Sequence, residues 1–189
     1  MKKLILTLAL FIPNLAYAHA DASGTGFWAG LNHPVLGLDH LLAMICVGIL
    51  SAQMGGKAIW SVPVTFVVVM LLGGILGMMG IPLISVELGI AVSVLALGAA
   101  IAANKHFSAL WTMMFVALFA VFHGHAHGVE MPGLASPIMY ALGFICGTAA
   151  IHIAGVVIGT FAKNNQYGDK FMRLSGTAIA GMGLYFVVA

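Results

Sequence analysis

The sequence predicts an all-α fold: a polytopic membrane helix bundle of six transmembrane helices that follow a cleaved signal peptide. Three observations predict it. Of the 189 residues 62% are hydrophobic, and only 7 Lys or Arg and 5 Asp or Glu are present. That charged share of 6% compares with roughly 25% in soluble domains, too little to cover a water-facing surface. Apolar stretches long enough to span a bilayer, at ~20 residues each, recur with short breaks. Beyond the first three residues, every cation falls in alternate breaks. A soluble enzyme or adaptor is excluded, as is a disordered chain, which would be far less apolar. Nucleic-acid binding is excluded because the cations are scattered singly, with no basic stripe.

The elements follow in order. Residues 1–18 read as a signal peptide: Lys2 and Lys3 form the positive end, Leu4 to Ile12 a short apolar run, and Ala16-Tyr17-Ala18 an A-x-A cleavage site. Pro13, Asn14 and the shortness of the run argue against an uncleaved first helix. Cleavage gives a mature chain at 19–189, a single membrane domain with equal numbers of cations and carboxylates. Its new N-terminus, His19, would set an imidazole beside a free amine, a pair able to capture a metal or equally a plain stub. Spans are expected at 33–54, 58–79, 85–103, 107–127, 136–162 and 171–188. The breaks carry helix punctuation: Gly55-Gly56, Gly80 before Pro82, Asn104-Lys105, Pro132-Gly133 with Pro137, and Asn164-Asn165 to Asp169. The first span is read as starting at His33-Pro34, since Pro is tolerated in a first helical turn.

Lys57, Lys105, and Lys163, Lys170 and Arg173 lie in the breaks after spans one, three and five. The positive-inside rule makes that side cytoplasmic. Asp21, Glu87 and Glu130 fall on the other side, and both mature termini are expected to face out with them. Gly73/Gly77, Gly143/Gly147 and Gly155/Gly159 are small-xxx-small pairs that let helices approach closely. They can pack the bundle or join protomers of a homo-oligomer, and spacing alone does not separate the two. An inverted repeat finds no support, because both histidine clusters sit near outer helix ends.

The chemistry lies in polar residues inside the apolar spans, where an ionisable side chain is a functional hypothesis by default. On a continuous helix, His33, Gly37 and His40 share one face, with His40 roughly 10 Å deeper than His33. Asp39 can be a ligand, or it can accept an imidazole N–H and fix the ring's tautomer. In the second cluster His123 and His127 stand at i and i+4, a spacing suited to sharing one metal. Glu130 is one turn beyond. His125 points away, unless Gly124 and Gly128 unwind the helix. Glu87 near the outer end of span three completes a metal-ligand set of His33, Asp39, His40, Glu87, His123, His127 and Glu130. His152, alone in span five, reads as a core histidine, and His106 as interfacial. Most of the 12 Met residues read as packing or lipid-facing rather than as a copper path. Cys46 and Cys146 form neither a thiolate site nor a disulfide. Imidazole and carboxylate suit Ni(II), Co(II), Zn(II) or Cu(II), and the residues alone stop at a divalent transition metal.

Two segments carry a resemblance. HPVLGLDHLLAM at 33–44 and FHGHAHGVEMP at 122–132 resemble the HPxxGxDH and HGxAHGxE signatures of the HupE/UreJ family of nickel permeases. His33, Asp39 and His40 match the first signature, and His123, His127 and Glu130 the second; His125 occupies a variable position. The resemblance implies a bacterial inner-membrane permease, its outward-facing termini then periplasmic, that admits Ni(II), with Co(II) for some relatives, to supply hydrogenase or urease maturation. It implies no permanently bound cofactor: the metal is cargo. No P-loop is present to spend ATP. Two rivals from other classes are an intramembrane zinc-dependent hydrolase, with Glu130 or Asp39 as general base, and a metal sensor or accessory subunit that binds without transporting.

Overall fold

The computed structural model describes residues 26–105, 107–131 and 136–189. The signal peptide, His19, Asp21, His106 and Pro132-Gly133 lie outside the described residues. Seven helices follow one another: α1 (Phe27–Leu36), α2 (Leu38–Met54), α3 (Ala58–Met78), α4 (Val86–Ala103), α5 (Ala109–Val129), α6 (Pro137–Lys163) and α7 (Gly168–Val188). There is no strand among the described residues. Helices α3 to α7 are each long and apolar enough to cross a membrane, and α1 and α2 reach that length and apolarity only as a bent pair, which gives five spans, or six where the pair counts as one. The chain is a multi-pass helical membrane protein. Its exposed apolar side chains, such as Trp60, Val64, Val68 and Leu72 one turn apart along α3, are the lipid-facing surface such a bundle requires.

The expected first span needs correction. It is not one helix from His33 but two helices that meet at 88° around Gly37. Pro34 sits inside α1 rather than in a first turn. Its ring clashes with the carbonyl four residues back and removes a helical donor, and α1 ends two residues later. Gly37, in an extended conformation, is both the C-cap of α1 and the N-cap of α2. The shared face proposed for His33, Gly37 and His40 therefore does not exist.

Helix α2 forms the centre, packed by α3, α4 and α6, and it buries His40, Ala43, Met44, Cys46 and Val47. The long helix α6 holds both halves of the bent pair. Its first half approaches α1, where a Cβ at Gly143 would stand 1.9 Å from the Phe27 carbonyl oxygen. Its second half approaches α2, where a Cβ at Gly155 would stand 2.3 Å from the Ile45 carbonyl oxygen. Gly73 and Gly77 bring α3 equally close to α5 at the carbonyls of Val121 and His125. All three glycine pairs therefore serve contacts within one protomer, where no water drives association and close approach is the source of packing energy.

The two ends of the bundle differ. Gln53 at the end of α2 donates to the Ile101 carbonyl (3.2 Å) and to Asn104 Oδ1 (3.0 Å) at the end of α4. Asn104 Nδ2 in turn reaches Asp169 Oδ1 of α7 (3.1 Å). Asn104 adopts φ 47°, in the left-handed region that Asn tolerates better than most residues. The loop at Gly55 faces Lys163 Nζ at the end of α6. The breaks that carry Lys57, Lys105 and Lys163 therefore gather at one end, and the histidines of α1, α2 and α5 at the other.

Candidate metal site

Four imidazoles meet at the histidine end, supplied by three helices. The ring of His33 (α1) lies 4.7 Å from that of His127 (α5), centroid to centroid. His127 lies 4.5 Å from His40 (α2), and His40 lies 4.8 Å from His123 (α5). The order His33–His127–His40–His123 is a file of rings running inward. It starts at the exposed Glu130 (51%) and the half-buried His33 (22%), and its other three rings, His127, His40 and His123, are all buried, His123 completely. The bend at Gly37 builds this file. It turns α1 aside so that His33 caps His127 from one direction while His40 enters between His127 and His123 from another. A Cβ at position 37 would lie 2.9 Å from Asp39 Oδ1 and 3.1 Å from His40 Nδ1. The space that glycine leaves is the space this pair occupies.

Hydrogen bonds set the tautomers. His40 Nδ1 lies 2.9 Å from Asp39 Oδ1, which also accepts the His40 backbone N–H at 2.8 Å. A carboxylate only accepts, so Nδ1 carries the proton and Nε2 presents its lone pair. Asp39 thus orients His40, as carboxylates do for ligand histidines. Ser93 on α4 has one hydroxyl proton and donates it to the Ile90 carbonyl at 2.6 Å. It must then accept from His123 Nε2, 2.9 Å away, which leaves Nδ1 as the lone pair of His123. At the mouth, His33 Nε2 donates to Glu130 Oε2 at 2.9 Å. His33, His127 and Glu130 each offer a ligand atom, all within 4.8 Å of one another.

The lone pairs so produced are unused. His40 Nε2, His123 Nδ1 and both ring nitrogens of His127 are buried with no hydrogen-bond partner among the described residues. An unsatisfied buried polar group costs about 1–3 kcal/mol. Four of them rival the ~5–15 kcal/mol net stability of a typical domain. A bound cation would recover that cost, and nitrogen lone pairs flanked by carboxylates are the donor set for a divalent transition metal.

The structure separates the remaining expected ligands. Glu87 is exposed in the first turn of α4, and among the described residues it makes no hydrogen bond or ion pair with the histidines. Helix α4 reaches the file through Ser93 instead, six residues further on. His125 stays on a continuous α5 and turns away from the file. Its Nε2 donates to the Ile81 carbonyl at 2.8 Å, which pins α5 to the loop between α3 and α4. Ser93 was not legible as a site residue, since a lone Ser in an apolar span is ordinary. Neither was the aromatic wall of α6, where Phe144 lies 4.2 Å from His127 and Tyr140 lies 5.8 Å from His33.

Fold and site together define the class: a multi-pass helical membrane protein with a histidine–carboxylate cluster buried at one end of its bundle. The chain belongs to the HupE/UreJ family, whose sequence model, described as HupE / UreJ protein, matches residues 6–186. It is similar to Protein HupE of Rhizobium leguminosarum bv. viciae, with 40% identity over 187 residues, covering 98% of this chain and 97% of that relative. No solved structure matches the chain.

Proposed function

We propose that the protein is a permease for nickel(II), with cobalt(II) as a second substrate, that supplies the maturation of a nickel enzyme such as hydrogenase or urease. The observation that carries this reading is the file of four imidazoles. It begins at the half-exposed Glu130–His33 pair and ends at the fully buried His123, with lone pairs open along it.

Glu130 draws the hydrated cation to the mouth. His33 and His127 replace its first waters, and His40 and His123 take over as it moves inward. Handover needs neighbouring sites that each bind incompletely, because conduction requires that the ion can leave. Ring spacings of 4.5 to 4.8 Å suit such handover, since adjacent imidazoles can share one ion. Asp39 and Glu130 offset part of the dehydration cost. The histidine end is the periplasmic face of a bacterial inner membrane and the lysine end the cytoplasmic face, by the positive-inside rule. With that orientation the membrane potential drives entry, worth about 4.6 kcal/mol for two charges crossing ~100 mV. The protein acts as a permease and not as an enzyme, and the ion is its cargo.

The test is entry of radioactive nickel into liposomes that hold the purified protein, with His40→Ala alongside. Entry that depends on His40 and needs no added energy source supports the reading. Tight metal binding without entry would overturn it in favour of a sensor or a metalloenzyme.

A further inference from the structure

Beyond His123 the arrangement continues. The ring of Phe66 on α3 lies 5.6 Å from His123 on one side and 5.2 Å from His152 of α6 on the other. One phenyl ring thus separates the last imidazole of the file from a fifth. His152 is 2% exposed, and neither of its ring nitrogens has a hydrogen-bond partner among the described residues. A core histidine usually pairs at least one ring nitrogen, as His125 does on the Ile81 carbonyl while its Nδ1 stays unpaired. His152 does not, although a hydroxyl is near in sequence. Thr148, one turn earlier on α6 and fully buried, donates to Met70 Sδ at 3.8 Å instead. Met70 is itself one turn from Phe66 on α3. Between α3 and α6 there are therefore three kinds of donor atom: imidazole nitrogen, hydroxyl oxygen and thioether sulfur. The level is the middle of the bundle, 15 residues from the start of α6 and 11 from its end, or about 22 Å and 16 Å along the helix.

We infer that His152 is a second binding station for the transported divalent metal ion, and that Phe66 is the apolar partition the ion passes between the outer file and that station. The inference rests on the permease reading above and extends it inward, to a level where the first file offers no ligand. An imidazole favours a late first-row metal ion over Mg(II) or Ca(II), so the station discriminates as well as relays. Rotation of one buried phenyl ring opens the partition, which keeps the two stations from forming a continuous polar channel.

The experiment compares wild-type protein with His152→Leu, in which an unpaired polar ring gives way to an apolar side chain. Thermal stability in detergent should match wild type or exceed it, and equilibrium nickel binding to the outer file should stay within about twofold. Nickel entry into liposomes should fall at least tenfold. Wild-type entry through His152→Leu overturns the inference, as does loss of binding and stability together, which would make the residue structural. If that variant does not reach the membrane, the wild-type protein decides. Its histidine ring nitrogens are followed by NMR as zinc(II), a diamagnetic imidazole ligand-seeker, is added beyond saturation of the outer file. Shifted His152 nitrogens support the station, and unmoved ones overturn it. Failure of wild-type protein to admit nickel overturns the permease reading itself and is distinct from any of these results.

Discussion

Both ends of the bundle are polar, but they treat their polar atoms in opposite ways. At the lysine end Gln53, Asn104 and Asp169 bond to one another and to the Ile101 carbonyl, a closed network that ties α2, α4 and α7 together. At the histidine end the hydrogen bonds do not close the network. They spend one nitrogen each of His40 and His123 on Asp39 and Ser93 and leave the other nitrogen bare. Closed networks stabilise, whereas an unpaired buried polar group is costly until something binds it. Inside α5 the difference is one of place: His125 bonds the Ile81 carbonyl and its unpaired Nδ1 lies outside the file, whereas the unpaired nitrogens of His123 and His127 belong to it.

Substitutions at the two ends should therefore act on different observables. The largest effect is expected from His127→Ala or His40→Ala, which remove the middle of the file. Nickel entry into liposomes should be abolished while the protein still accumulates in the membrane, and normal entry in either variant would sink the site assignment. Next comes Asp39→Asn, which replaces the carboxylate that holds the His40 tautomer. Loss of such an orienting group costs about 10–100-fold in metal affinity, readable as a rise in the nickel concentration for half-maximal entry. Ser93→Ala should sit at the low end of that range, because His123 loses a neutral partner rather than a charged one. His125→Phe should leave nickel affinity unchanged and lower thermal stability, at about 1 kcal/mol for the lost hydrogen bond to Ile81. Altered nickel affinity in that variant would erase the distinction between His125 and the histidines of the file. The smallest effect is expected from Gln53→Ala, which breaks the closed network at the lysine end at about 0.5–1.5 kcal/mol per bond and should leave nickel entry at the wild-type rate.

The bend at Gly37 shows how reading along the chain can reach the right residues by a wrong route. Residues 33–54 look like one span because the apolar run is unbroken and a Pro near its start is harmless to a helix. A face shared by His33 and His40 then follows from helical geometry. In the folded protein Pro34 and Gly37 break the helix, and the two rings meet on either side of His127, a residue almost ninety positions away. Packing on α6 holds the bend in place, and no local signal reports which long helix will pass by.

What the sequence determined by itself was set by solvent. An apolar composition with short polar breaks dictates a membrane bundle and most of its spans, because lipid penalises charge and unpaired backbone wherever they occur. The ligand spacing on α5 was equally local, since residues four apart on a helix share a face. Tertiary structure alone decided which histidines join the file. It turned Asp39 into an orienting group, recruited Ser93 from α4, left Glu87 on the surface and closed His125 onto Ile81. Each of these depends on what stands across from a side chain in space, and a one-dimensional pattern does not contain that information.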